Sequence, residues 1–261
     1  MRERSIHDYI FLGTVVRYLQ DAQPGWRIFD APAGGRCILS NLAHLREELA
    51  DGDLPVTRRA AWRLYLLEDE FAEAMDEEAT LGAAGAARIR EAAALLRETL
   101  EAEAKGKMAF ITTEKRYDAA HLMRDIARVF GQGVYAQLPD VAQYDFAEAG
   151  KCIAFERPTA AAFHLLRGVE AALRTFHNGV LPASRALLWK PAVDELRAHL
   201  PPAHRPVLDH LDNIRASFRN PTQHPEKIYD VEEAQDLLAL CVDVVNRMVR
   251  SGVWKGAAMP T

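Results

Sequence analysis

The chain has 261 residues, 49% apolar and 26% charged, the balance of a soluble globular protein with enough length for one large core or two smaller ones. Its formal charge of −5 argues against a protein that coats nucleic acid through bulk electrostatics. Three distant cysteines, Cys37, Cys152 and Cys241, form neither a disulfide framework nor a zinc pattern and fit a reducing cytoplasm. The charge is unevenly spread: residues 1–150 carry a net −7 and residues 151–261 a net +2.

Taken in order, Ser5 to Gln20 reads as a helix. Its longest apolar run, Tyr9 to Leu19, is broken by Gly13 and Arg17 and is too short to span a bilayer. No signal-peptide cleavage pattern follows it, so no membrane partner is expected. Trp26–Phe29 and Cys37–Leu39 flank Ala31-Pro32-Ala33-Gly34-Gly35, which predicts a small β-hairpin with a glycine loop. Gly34-Gly35 lacks the spacing and the Lys-Ser/Thr ending of a phosphate loop. Asn41 to Leu49 reads as a short helix.

From Thr57 to Glu78 the apolar positions step by three and four, as they do again from Ala86 to Glu103, with Gly82 to Gly85 as the turn. This predicts a protruding antiparallel helical hairpin. Seven acids between Glu68 and Glu78 face Arg88, Arg90 and Arg97, as cross-hairpin charge pairs or as a docking surface for a basic partner. A helix from about 114 to 130 follows, stopped by Gly131-Gln132-Gly133. Tyr144 to Glu156 is expected to be helical with Asp145 as its cap, and Pro158 to restart the helix through Asn178, with Gly179 as its terminator. Pro191 opens a short helix through His199.

Leu208, Leu211, Ile214 and Phe218 place a helix over 206–219. Pro221 should end it and force Asn220 into an extended conformation, and Pro225 should do the same to His224. The next helix opens at Asp230 with Glu233 as its capping-box partner. Arg219 and His224 are thus expected on a stiff connector between two helices. The chain reads as all-α, divided into an N-terminal region (1–55), the hairpin (56–110) and a C-terminal helical domain (111–255).

Arg219, Asn220 and His224 match the R-N-x-x-x-H form of the R-x(4–6)-H motif, and upstream the run AGKCIAFERPTAAAFHLLRGVEA covers residues 149–171. Together these resemble the HEPN domains, all-helical modules common in RNA-cleaving toxins and phage-defence proteins. The resemblance covers roughly the last 110 to 150 residues. It implies a HEPN-like bundle and a cytoplasmic, metal-independent endoribonuclease that uses no cofactor. It also implies an RNA substrate, a homodimer facing two motifs across one cleft, and an antitoxin or defence partner.

The residue chemistry fits that implication. Cleavage by the ribose 2′-hydroxyl needs proton transfer and anion stabilisation; His224 offers an imidazole, Arg219 a permanent planar cation, and Asn220 an amide to orient either. Glu170, one helix earlier, is an auxiliary candidate to steer Arg219 or His224, or else a surface partner of Arg174. Arg215 is an auxiliary phosphate contact or a partner of Asp212. His164, His199, His204 and His210 lack carboxylate partners at ligand spacing and read as surface or satisfied core residues. Some HEPN toxins carry a modifiable tyrosine two residues past the histidine; Glu226 stands there. The same residues also suit a non-catalytic module that binds a nucleotide, an RNA or a protein partner. Alternatively, Arg219 merely decorates a helix end and His224 is a loop residue.

Overall fold

The computed structural model describes residues 5–30, 37–73, 78–181, 188–224 and 227–255. The regular structure among these residues is helical, with no strand, and the chain divides into two units, 1–110 and 111–261, each with its own core. Among the described residues no helix is long and apolar enough to cross a membrane.

In the first unit, α1 (Ile6–Gln20) opens with Ser5 and Asp8 in a reciprocal capping box. It packs on α2 (Ile38–Asp51) and on α5 (Ala83–Ala104), and α3 (Pro55–Ala60) and α4 (Trp62–Ala72) complete the bundle. Leu12, Val16, Leu19, Leu42, Leu45, Leu64 and Ile89 are buried together, so the arms expected to protrude are instead walls of one core. Glu68, Asp69 and Glu70 are held by arginines of the same unit. Arg46 of α2 reaches Glu68 at 2.5 Å and Asp69 at 2.7 Å, and Arg88 grips Glu70 through two bonds of 2.7 and 2.9 Å. The predicted helix at 57–78 starts earlier, at Pro55, and breaks at Ala61. Glu103 of α5 accepts the backbone N–H groups of Val56 and Thr57 at 3.0 and 2.7 Å, supplying the free donors of the α3 N-terminus with an anion.

The β-hairpin does not form as expected, and its glycine loop lies outside the described residues. Ile38 and Leu39 open α2, and their free N–H groups donate to the carbonyls of Arg27 and Ile28. The extended partner of residues 25–28 is Ala79–Leu81, through one isolated antiparallel bridge, Arg27 with Thr80, and flanking backbone bonds.

In the second unit, α7 (Asp140–Ala154) and α8 (Pro158–Val180) form a helix pair at the centre. Around it lie α6 (Ala119–Arg124), α9 (Trp189–His199), α10 (Arg205–Ile214) and α12 (Val231–Val249). The turn from α7 to α8 is closed by Glu156 at φ 56°, with Arg157 N donating to Cys152 O at 2.7 Å and Glu156 N to Ile153 O at 3.1 Å. This is a Schellman ending with glutamate where glycine is usual. Its carboxylate is held by Thr113 Oγ1 and Lys115 Nζ. The helix expected at 114–130 is shorter, because Asp118 caps it late and Asp125 leaves helical geometry at φ −146°, with a 3₁₀ turn at Ile126–Val129 after it. Gly179 is not a terminator. It is buried inside α8, where a side chain would meet the Val253 carbonyl. Asp145 is not a cap either: α7 begins five residues earlier, at Asp140.

The largest difference lies at the motif. α10 does not stop before Pro221. It passes through a π turn, Arg215–Arg219, and one further turn, α11 (Asn220–Thr222), with Asn220 at φ −65° and ψ −52°. Pro221 lacks an N–H, and its ring would strike the Ser217 carbonyl in a regular α-turn; the widened turn ahead of it, closed by Asn220 N to Arg215 O, relieves that conflict. The capping box at Asp230 and Glu233 forms as read from the sequence.

Gly150 tests how tightly this centre is set. A Cβ there would lie 2.4 Å from the Leu122 carbonyl and 2.9 Å from Ile126 Cδ1. Helix propensity alone favours alanine by about 1 kcal/mol, whereas an overpacked contact costs about 1–3 kcal/mol. Gly150→Ala is expected to lower the urea midpoint of the second unit. Gly13→Ala in α1, with open space around it, is expected to raise that of the first.

Candidate functional site

The site grows from one residue of α7 placed on an otherwise apolar face. Ala142, Phe146, Ala149 and Ile153 bury themselves against α8, and Asp145 shares their face with no exposed surface. An isolated buried carboxylate would cost several kcal/mol. Here both oxygens are engaged by α8: Oδ2 accepts from Arg167 Nε at 2.6 Å, and Oδ1 lies 2.9 Å from His164 Nδ1. The bond to Asp145 pushes the Arg167 guanidinium above its ordinary range, so it is a fixed cation. Gly168 makes room for the arrangement, since a side chain there would press on the Phe146 ring at 3.1 Å.

One turn further along α8, Glu170 serves two arginines. Oε1 accepts from Arg174 at 2.7 Å, and Oε2 lies 3.6 Å from Arg219. Glu170 thus contacts both Arg174 on its own helix and Arg219 on another. A cleft of about 320 Å³ opens between Phe163, His164, Leu166, Arg167 and Glu170 of α8 and Arg219 and Gln223 at the end of the α10–α11 run.

The five residues singled out by the sequence are placed differently from one another. Arg219 and Glu170 meet in the cleft. Asn220 and His224 are exposed, and neither side chain bonds another described residue; His224 directly follows the cleft residue Gln223. Arg215 faces away, with its Nε 3.7 Å from Asp212 Oδ1, beside the Arg197 bridge to Asp212 and Asp209. Pro225 and Glu226 lie outside the described residues. The connector is anchored instead by Thr222, whose hydroxyl donates to Phe218 O at 2.6 Å and meets the buried Tyr229 hydroxyl at 2.6 Å.

In comparisons with known proteins, no family model, no curated protein and no solved structure matches this chain. The geometry therefore carries the reading of the site.

Asp145, His164, Arg167 and Gln223 were not assigned to the site from sequence. The signal was there for one of them: a lone charge among Ala142, Phe146, Ala149 and Ile153 on a helical stripe. Sequence spacing also hid the carboxylates that two of the four histidines His164, His199, His204 and His210 meet in space. His164 meets Asp145, and His210 lies 3.2 Å from Asp243 while burial pushes its pKa below the ordinary histidine value. Among the described residues, no three of His, Cys, Asp and Glu are grouped so as to hold a metal ion.

The buried pair gives a stability test. Arg167→Ala removes a charge-assisted bond from a carboxylate with no water contact, although solvent screens the exposed guanidinium end. The expected cost is about 2 kcal/mol by denaturant titration. Arg174→Ala, breaking a surface pair one turn apart, is expected to cost about 0.5 kcal/mol or less.

Proposed function

We propose that this chain is a metal-independent endoribonuclease of the HEPN type, a toxin or defence effector that cuts RNA by 2′-hydroxyl attack on the adjacent phosphate. The observation that carries the reading is the contact between Glu170 and Arg219. The motif arginine is held over a small cleft by a carboxylate of the preceding long helix.

The cleft suits a phosphodiester. Arg167 and Arg219 provide two fixed cations on opposite walls, and a planar guanidinium matches the non-bridging oxygens of a phosphoryl group. Phe163, 48% exposed on the same wall, offers a ring face to an unstacked base. His224 accepts the 2′-hydroxyl proton as the O2′–P bond forms. Arg219 balances the charge that builds on the phosphoryl oxygens, and departure of the 5′-oxygen leaves a 2′,3′-cyclic phosphate. Glu170 holds Arg219 by a long, solvent-facing contact that a phosphate can displace. The homodimer implied by the resemblance sets two such motifs around one RNA strand, and a partner protein that covers the cleft would silence it.

The test is incubation of the purified chain with total RNA in EDTA, followed by mapping of the new ends. Wild-type protein is expected to leave 2′,3′-cyclic phosphate ends. His224→Ala and Arg219→Ala are each expected to lose about a hundred-fold or more in rate, with the helical circular-dichroism signal unchanged. An inert wild-type protein would sink the enzymatic reading and favour a non-catalytic module that binds a nucleotide, an RNA or a protein. Full activity in His224→Ala would remove that residue from the mechanism.

A further inference from the structure

Cleavage by 2′-hydroxyl attack needs two proton transfers, one from O2′ and one to O5′, and a single imidazole cannot easily stand on both sides of the same phosphorus. The cleft wall carries an imidazole other than that of His224. His164 lines it, with its side chain 27% exposed, and its Nδ1 is fixed 2.9 Å from a carboxylate that has no exposed surface. Asp145 cannot turn elsewhere, because Arg167 holds its other oxygen at 2.6 Å. A carboxylate accepts and does not donate, so Nδ1 carries the hydrogen of that bond and Nε2 is the atom left to exchange protons. A carboxylate behind an imidazole also holds the ring in one tautomer and one orientation. The other groups around His164 are Tyr144 of α7, at 6.5 Å between rings, and Arg167, Glu170 and Arg219 along the cleft.

We infer that His164, positioned by Asp145, is a second catalytic residue of this cleft and protonates the departing 5′-oxygen. The inference rests on the ribonuclease reading and deepens it. His224 takes the proton from O2′ as the O2′–P bond forms, and His164 Nε2 gives a proton to O5′ as the P–O5′ bond breaks. Each chain then carries both an acid and a base.

The experiment compares two substrates: a short RNA with the ordinary 5′-oxygen at the scissile bond, and the same RNA with sulfur in that bridging position. A thiolate leaves without an acid. His164→Ala and His164→Gln are expected to lose about a hundred-fold or more on the oxygen substrate. Both variants should recover most of the wild-type rate on the sulfur substrate, where His224→Ala should not. Glutamine keeps a donor for Asp145, so the pair of variants separates proton transfer from packing. Wild-type cleavage of the oxygen substrate by His164→Ala would overturn the inference and leave the ribonuclease reading standing. A loss that sulfur does not rescue would also overturn it. A wild-type protein inert on both substrates would overturn the ribonuclease reading itself, and this inference with it.

Discussion

The second unit depends on a carboxylate enclosed between two helices. Asp145 sits at the contact of α7 and α8, a charge at a place that favours apolar atoms. It is tolerable only because His164 and Arg167 reach back to it from α8 at 2.9 and 2.6 Å. The constraint works in both directions. The pair of helices must keep its rotation and spacing to satisfy Asp145, and satisfying Asp145 fixes which way His164 and Arg167 face. Glu170 follows one turn on and holds Arg219. A stability requirement at the core thus becomes a positional requirement at the cleft, carried by one helix face.

Much of the fold was legible from local chemistry. Period-three-and-four apolar steps located α5, α8 and α12, and the Asp230–Glu233 box fixed the start of α12, because these signals act within a few residues. The readings that failed were those where a distant group decided the outcome. Residues 26–29 did look extended, but their partner is Ala79–Leu81, far along the chain. Asp145 resembled a cap because aspartate favours helix starts; its place on the apolar stripe of α7 hinted otherwise, and the neighbouring helix shows what makes that place tolerable. At the site, Arg219 and Glu170 were readable as a pair, whereas His164 needed the α7–α8 register before its carboxylate could be seen.

The first unit shows how a conspicuous charge pattern can be structural. The acids of α4 could be read as cross-hairpin charge pairs or as a surface for a basic partner. Glu68, Asp69 and Glu70 are taken up by Arg46 and Arg88, which bind α4 to the helices on either side. Exposed pairs of this kind add little stability one by one. They do fix which helix faces which, a role that composition alone cannot distinguish from recruitment.

The π turn has a bearing on how this site can vary. In an unbroken α-helix, side chains four residues apart emerge one above the other, so Arg215 and Arg219 would address the same neighbour. The widened turn at Arg215–Arg219 changes the azimuth between them: Arg215 answers to Asp212 on its own helix, and Arg219 to Glu170 on another. One residue of helical phase is worth about 100° of rotation. The aim of Arg219 is therefore set by residue count as well as residue identity. A single deletion between Ile214 and Arg219 would leave the motif intact as text and turn its arginine away from the cleft.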